Sequence, residues 1–381
     1  MGATVTYVQV QPALLTWAVD RAGIDQAALV RKFPRFQEWL AGTTGPTMKQ
    51  LEQFATYTHT ALGYLFLDQP PDEPLPIPDF RTVGSAGVAR PSPDLLDTIY
   101  QCEIRQEWYR QYAEDQGLDP PPFVGACKAE DPVGAVATAI RKALGLDNQV
   151  RPKLGSPLSM RGYLVKAIED LGCLVMINGV VGANTHRRLD PEEFRGFALT
   201  DKYAPLIFVN GADSKAAQVF TLVHELAHLW AGDTALSEAD VSISEGNHKE
   251  LWANQVAAEV LVPLEELASL WPGSDLGSLA KVFNVSTLVI LKRAFDSNLL
   301  DWDAFRESYQ TEVAGFEGKK QDTGAGGGDF YNSQICRLGR PFVRAVALDT
   351  LEGRTLYGDA YAMLGTAKHE TFLELAKKVM A

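Results

Sequence analysis

The feature that most constrains this chain is the H-E-L-A-H run at residues 224–228. On an α-helix, residues four positions apart lie on one face, so His224 and His228 can bind one metal ion. Glu225 lies beside them, where its carboxylate can take a proton from a water molecule on that ion. The flanking residues 219–226 are mostly apolar, and ionisable groups are costly there unless they are paired or bind metal. The run predicts a hydrolytic metal site; the alternative is two core histidines beside an unrelated glutamate.

A catalytic zinc ion needs a third protein ligand and one open position. Thr234 stands six residues after His228, which excludes the arrangement with a third histidine there. We predict Glu250 as the third ligand, and His248 is the main rival. Asn254 follows Glu250 by one helical turn and is placed to hydrogen-bond a ligand histidine. Zn²⁺ is the expected ion, while two histidines and one carboxylate can also hold Mn²⁺ or iron.

Composition excludes several classes of protein. A net charge of −13 argues against a protein that coats nucleic acid by bulk electrostatics. No apolar run approaches the roughly twenty residues that span a bilayer, and the first ten residues do not resemble a signal peptide. The four cysteines lie far apart in the sequence and form no C-x-x-C pair. We therefore expect a cytoplasmic protein with no membrane partner and no cysteine-based zinc site.

The fold class predicted from these patterns is α+β, mostly helical, with a small sheet. Long helices are expected at 94–116, 131–145 and 157–171. Strands are expected at 173–177, 194–200 and 205–209, and Leu206–Val209 reads as a buried strand. The chain divides into five segments. They are a helical domain at 1–69, a proline-rich linker at 70–93, a metal-binding domain at 94–270, a helical subdomain at 271–320, and a glycine-rich break with a C-terminal helical segment at 321–381.

Three segments, 204–210, 220–228 and 250–263, together resemble the ImmA/IrrE family of bacterial metallopeptidases. The resemblance implies a zincin-like core in which His224, His228 and Glu250 bind zinc and Glu225 is the catalytic base. It also implies limited cleavage of a partner transcriptional repressor, which switches on stress-response or mobile-element genes. On the zincin pattern, Leu206–Asn210 would be an edge strand that takes the substrate backbone by strand addition.

The N-terminal unit resembles an Xre-type helix-turn-helix domain in the segments 22–29, 39–42 and 46–51. A DNA-reading helix needs basic and amide side chains. The expected helix, opened by Pro34, offers only Arg35 and Gln37 beside Glu38, and five Lys/Arg balance five Asp/Glu over residues 1–70. Operator recognition and a structural or protein-docking role are therefore both open.

Two later segments also carry a nucleic-acid pattern. Residues 276–293 have the residue spacing of a second helix-turn-helix motif. The favoured interpretation is a pair of helices that packs against the metal-binding domain. A predicted helix carries three arginines near one face, at Arg337, Arg340 and Arg344. The favoured interpretation is a solvent-exposed face, and the alternative is a binding site for nucleic acid or an acidic partner. The run at residues 77–81, I-P-D-F-R, is typical of longer members of the resembling family, but its residues predict no role.

Together these patterns predict a zinc-dependent endopeptidase that makes limited cuts in a regulatory protein. The substrate would be a repressor or toxin encoded nearby. The alternative is a non-catalytic DNA-binding regulator or antitoxin that uses the metallopeptidase fold to bind its partner. The intact Glu225 argues against that alternative, because a pure binding protein has no need of the base.

Overall fold

A computed structural model of the chain describes residues 7–78, 91–147, 149–237, 248–317 and 329–380. These residues fall into two compact units. One lies within Met1–Pro76 and Ala89–Asp97, and the other within Ile77–Val88 and Thr98–Ala381. The predicted glycine-rich break at 324–328 and residues 79–81 of the I-P-D-F-R run lie outside the described residues.

The described part of the chain is mostly helical with a small mixed sheet, as predicted. No helix in it combines the length and the apolar character needed to cross a bilayer. Two short 3₁₀ helices lie at Leu62–Phe66 and Trp271–Gly273. The remaining elements, in chain order, are α1 (Pro12–Arg21), α2 (Gln26–Lys32), α3 (Phe36–Leu40), α4 (Met48–Tyr57), α5 (Pro93–Asp115), α6 (Val133–Leu144), α7 (Arg151–Leu154), α8 (Pro157–Asp170), β1 (Leu174–Asn178), β2 (Val180–Val181), β3 (Asn184–Arg188), β4 (Gly196–Leu199), β5 (Leu206–Asn210), α9 (Lys215–Ala231), β6 (Ala235–Ser237), α10 (His248–Leu261), α11 (Leu264–Leu270), α12 (Leu276–Phe283), α13 (Thr287–Asp296), α14 (Trp302–Glu317), α15 (Phe330–Leu338), α16 (Arg340–Leu351), α17 (Tyr357–Met363) and α18 (His369–Met380).

The first unit is a bundle of short helices whose starts follow from local capping. Asp25 accepts a hydrogen bond from the Ala28 N–H at the start of α2, and Thr47 forms a capping box with Gln50 at the start of α4. The helix α3 begins at Phe36, two residues later than the Pro34 start expected from sequence. The core is aromatic, and its rings pack at centroid distances of 5.6–6.3 Å; it contains Phe33, Phe36, Trp39 and Phe54.

Four strands form the main sheet of the second unit in the order β1-β5-β4-β6. Strands β1 and β5 are parallel, while β4 is antiparallel to both β5 and β6. The expectation that Leu206–Asn210 is an edge strand is wrong. That strand, β5, hydrogen-bonds to a neighbour on each side, and all five of its residues are buried. An extended substrate therefore has no free edge on β5.

The helix α9 packs against α8, α10 and the sheet. As a result, every residue from Gln218 to Trp230 is buried. A helix enclosed on all sides needs apolar residues around its whole circumference, which explains the apolar run around the H-E-L-A-H motif. The motif thus lies inside the core of the second unit.

The second helix-turn-helix pattern corresponds to α12 and α13. Asn284, with a φ of 56°, closes α12 in the left-handed conformation. The following helix packs against both α12 and α14, and its residues Val289–Leu291 are buried. Arg293 donates from Nε to the Val262 carbonyl at 3.2 Å and pairs with Glu259. This burial leaves α13 without an exposed reading face and favours the helical-packing interpretation.

The C-terminal helices α15 and α16 pack against strand β1, which belongs to the same unit. Gly339 makes the close approach: with φ at +81°, a side-chain carbon there would lie 2.8 Å from the Val175 carbonyl oxygen. The next residue, Arg340, donates its backbone N–H to Glu169 Oε1 at 2.9 Å. Glu169 thus joins the end of α8 to the start of α16.

We expect this contact to make stability depend on pH near neutrality. Burial raises the pKa of Glu169 from 4.5 to about 7, although the Arg340 N–H and charge lower it in part. A raised pKa means that the folded chain binds the proton more tightly than the unfolded chain. Its contribution to stability is fully present below pH 4.5 and is lost as the pH rises through about 7, by up to about 3 kcal/mol. Urea unfolding at pH 5 and 8 measures most of this loss.

Glu169→Gln should remove that pH-dependent loss, because the amide stays neutral and can still accept from the Arg340 N–H. Glu374→Gln, at an exposed position of α18, is the matched control and should unfold as the wild type does at both pH values. An unchanged pH dependence in Glu169→Gln would contradict this account of the contact.

Candidate metal centre

Helix α9 carries two of the three clustered side chains. Ser214 caps its start by accepting a hydrogen bond from the Ala217 N–H, and Gly232 closes it in the left-handed conformation. Between these caps, His224 and His228 lie one turn apart and are 4% and 1% exposed. Helix α10, which packs against α9, brings Glu250 to them from its first turn.

The ligand atoms of these three residues converge. The two Nε2 atoms of His224 and His228 lie 3.1 Å apart. Glu250 places Oε2 at 3.2 Å from the first and Oε1 at 2.9 Å from the second. Tetrahedral zinc with nitrogen and oxygen ligands at 2.0–2.1 Å holds neighbouring ligand atoms about 3.3 Å apart. The buried cluster therefore fits a metal ion of this size, with small outward shifts of the side chains.

The three groups of the cluster shift one another's pKa values. Burial opposes ionisation of Glu250, but the two imidazoles outweigh it and hold the pKa of this carboxyl at about 2. Burial lowers the pKa of His228. Burial also opposes the charged form of His224, yet Glu250 raises its pKa above the usual value. The anionic Glu250 is ready to bind a cation, whereas the proton that Glu250 favours on His224 would have to leave, because a ligand imidazole is neutral.

Glu225 lies beside the cluster without belonging to it. Its side chain is fully buried, and its charge helps to raise the pKa of His224. Gly196, at the start of β4, backs this carboxylate: a methyl group on its α-carbon would lie 2.9 Å from Glu225 Oε1. Glu225 therefore lies between Gly196 of the sheet and the imidazole of His224.

The other residues singled out from sequence lie nearby in different roles. Asn254 is one turn after Glu250 on α10, and its side chain interacts with the His224 imidazole. His248 is exposed at the first position of α10 and is not part of the cluster. Thr234 accepts a hydrogen bond from the Thr200 N–H at 3.0 Å, which ties the end of α9 to β4.

An ion pair that sequence reasoning missed joins the two helices of the cluster. Asp233 follows α9 and donates its N–H to the His228 carbonyl at 2.9 Å. Its Oδ1 atom lies 2.5 Å from Nζ of Lys249, the residue before Glu250. The pair links the first turn of α10 to the residues that follow α9. No local pattern predicts a contact between residues sixteen positions apart.

Gly196→Ala should impair the site without removing a ligand. The new methyl group would meet Thr221 Cγ2 at 2.6 Å and the Phe208 carbonyl oxygen at 2.8 Å as well as Glu225. Because backbone and buried groups must shift, we expect a stability loss of about 1–3 kcal/mol, slower cleavage on the hydrolytic role predicted from sequence, and an unchanged metal content. Urea unfolding, cleavage and metal content measure these three outcomes.

Gly162→Ala is the matched control for that substitution, since a methyl group there meets nothing within 4 Å. Inside helix α8 it should be neutral or stabilise by up to about 1 kcal/mol. Equal behaviour of the two variants would show that Gly196 does not position Glu225.

Comparison with known proteins gives two matches, each to part of the chain. Residues 338–378 match a domain family of unknown function, DUF8813. A comparison with curated proteins finds no match. Residues 168–295 match the family described as the IrrE N-terminal-like domain, Peptidase M78. This stretch contains the H-E-L-A-H helix and Glu250, so the part of the chain that holds the buried cluster is similar to the IrrE-type metallopeptidase domain.

Proposed function

We propose that this protein is a zinc-dependent endopeptidase that makes limited cuts in one regulatory protein. The observation that carries the proposal is the buried convergence of His224, His228 and Glu250 beside the buried carboxylate of Glu225. A protein that only binds a partner gains nothing from an enclosed acid next to a metal cluster. The match of residues 168–295 to Peptidase M78 supports the same chemistry.

The roles of the residues follow from their positions. His224, His228 and Glu250 would hold the ion, which when bound supplies Lewis acidity to a water molecule and to the scissile carbonyl. Glu225 takes one proton from that water as its oxygen attacks the carbonyl carbon. When the C–N bond breaks, Glu225 returns the proton to the leaving amine. Asn254 orients His224 through its side chain.

Two features support a restricted substrate. The site is enclosed, because the three proposed ligands and Glu225 are each at most 4% exposed. An extended segment of a protein fits such a site better than a folded surface does. The N-terminal unit adds a surface that a digestive enzyme does not need. Just before its helix α3, Arg35 pairs with Glu38 at 2.9 Å, which leaves little positive charge at this helix for DNA. We propose protein docking as the role of this unit and a repressor or toxin encoded nearby as the substrate.

Mapping of new protein N-termini tests the proposal directly. Cells that contain the wild type and cells that contain Glu225→Gln at the same level would be compared. We expect one or a few N-termini that appear only with the wild type, in a regulatory protein. Many scattered cuts would indicate a digestive peptidase.

The non-catalytic alternative has its own outcome in this experiment. If Glu225→Gln cells keep every phenotype of the wild type and no N-terminus depends on Glu225, the fold serves to bind a partner. Binding of a DNA fragment from upstream of the gene to the full chain, measured across salt concentrations, then decides whether that partner is DNA.

A further inference from the structure

Helix α14 begins with an exposed tryptophan. Trp302 is its first residue and keeps 59% of its surface exposed. Two neighbouring rings pack against it: the ring centroid of Phe295 on α13 lies 5.7 Å away, and that of the buried Phe305 lies 5.9 Å away. Phe295 and Phe305 also stack on each other at 4.6 Å. These contacts restrict the Trp302 ring while more than half of its surface stays open to a partner.

Two carboxylates flank this ring. Asp301 precedes α14 and caps it, because its Oδ1 accepts a backbone N–H of the first turn at 2.9 Å. Asp303 lies in that first turn and is exposed. Over residues 287–317, which form α13 and α14, six Asp/Glu outnumber three Lys/Arg. The exposed face of Trp302 therefore lies in an acidic surface.

The neighbouring helix shows how rings and carboxylates here hold a cation together. On α13, Lys292 places Nζ 6.0 Å from the centroid of the Phe295 ring and 2.5 Å from Asp296 Oδ1. One ammonium group thus lies over an aromatic ring while it pairs with a carboxylate. Trp302, between its two aspartates, offers the same two elements at a more exposed position, and tryptophan is the ring that attracts cations most strongly.

The acidic charge selects among the partners that an exposed tryptophan can bind. A tryptophan ring can stack on a nucleic-acid base or enter a membrane interface. An acidic surface repels the phosphates of nucleic acids and of anionic lipids. It attracts an arginine, whose guanidinium stacks on an aromatic face and whose N–H fork fits a carboxylate. The chemistry at Trp302 therefore favours a basic segment of another protein.

The surface around Trp302 is tied to the helix that carries a proposed metal ligand. Helix α13 packs against α14, and its residue Arg293 pairs with Glu259 of α10. Arg293 also donates to the carbonyl of Val262, just after the end of α10, at 3.2 Å. Glu250 lies in the first turn of that same helix. A protein bound at Trp302 is therefore held at a set distance from the buried cluster.

We propose that Trp302, Asp301 and Asp303 form a docking surface for an arginine-bearing basic segment of the protein substrate, separate from the site of cleavage. This rests on the proposed function for the identity of the partner. A regulatory protein that binds DNA carries such segments, because it neutralises phosphates with Lys and Arg. Docking at a second site raises the effective concentration of the scissile segment at the metal centre. It therefore favours cleavage of one basic protein over others.

The first test measures, by fluorescence anisotropy, how the full chain binds a labelled twelve-residue peptide in which arginine alternates with serine. Trp302→Ala should bind this peptide at least about fivefold more weakly, and Trp302→Phe should retain part of the affinity. Phe330→Ala is the matched control, because Phe330 is also the exposed first residue of a helix capped by an aspartate. Wild-type affinity in Trp302→Ala, or an equal loss in Phe330→Ala, would overturn the proposal.

The role of charge is tested by Asp303→Asn, which keeps the Trp302 ring and covers the case in which Trp302→Ala does not fold. We expect a loss of peptide affinity of about two- to fivefold at low salt, and a smaller loss as the salt concentration rises. Asp359→Asn is the matched control, because Asp359 is likewise exposed in the first turn of a helix. Equal effects of the two substitutions would indicate attraction to the net charge of the chain and would overturn the docking surface.

The second test compares cleavage of the protein identified by mapping of new N-termini with cleavage of a short peptide that spans only its scissile bond. In Trp302→Ala the ratio of the two rates, protein over peptide, should fall at least about fivefold at low substrate concentration. An unchanged ratio would contradict a docking role. If the wild type cleaves no protein, the proposed function fails, and the arginine peptide still decides whether this surface binds basic segments.

Discussion

Glu225→Gln will lower peptide-bond cleavage by about 10²–10⁴-fold and leave the metal in place. The amide has nearly the shape of the carboxylate, but it cannot take a proton from the attacking water. Glu225 is fully buried between the cluster and Gly196, so no other carboxylate can move into its position easily. Metal retention follows because Glu225 is not among the three converging ligand atoms.

Metal content by mass spectrometry and cleavage of the substrate found by N-terminal mapping measure the two effects on one sample. Glu265→Gln, at an exposed position in helix α11, is the matched control and should resemble the wild type in both. Cleavage by Glu225→Gln at the wild-type rate would mean that Glu225 is not the base.

Glu250→Ala should lower the affinity for zinc by more than about 100-fold. Loss of residues that merely orient a ligand costs about 10–100-fold, and loss of a direct ligand exceeds that. Glu250 contacts both imidazoles, at 3.2 Å and 2.9 Å, and its pKa of about 2 keeps it anionic. Competition with a chelator of known affinity gives the change in zinc affinity.

His248→Ala is the control for this substitution, because His248 lies two residues away, is exposed and could offer an imidazole. It should bind zinc as the wild type does. Glu250→Gln, which preserves the shape of the side chain, covers the case in which the alanine variant does not fold. A loss of zinc from His248→Ala with normal binding by Glu250→Ala would reverse the assignment of the third ligand.

Local patterns predicted the elements that carry the cluster. The spacing of His224 and His228 depends only on helical periodicity. The predicted long helices and the buried strand at 206–209 were confirmed within a few residues. The prediction that Glu250 joins the histidines came from the resemblance and from ligand chemistry, since no local rule sets the distance between α9 and α10.

Contacts between distant segments could not be predicted in this way. The residues of one strand do not determine which strands lie beside it in the sheet. For this reason the expectation that β5 lies at an edge is wrong. The role of Gly196 depends on how closely β4 approaches Glu225, and the Asp233–Lys249 pair depends on how two helices meet.

The second helix-turn-helix pattern shows why residue spacing alone is weak support for DNA binding. Two capped helices joined by a residue in the left-handed conformation occur in many tight helical pairs, whether or not these bind DNA. Here α13 packs against both α12 and α14 and carries Arg293, which pairs with Glu259. Whether the N-terminal unit reads DNA stays a prediction, to be tested by binding across salt concentrations.

X-ray absorption at the zinc edge on the full chain, loaded with one zinc per chain, tests the central claim most directly. The account predicts two imidazole nitrogens at about 2.0–2.1 Å, one carboxylate oxygen at about 2.0–2.2 Å and one further light atom in the first coordination sphere. The imidazole signal should fall by half in His228→Ala. Sulfur in the coordination sphere, six oxygen ligands, or an unchanged spectrum in His228→Ala would contradict a metallopeptidase centre at His224, His228 and Glu250.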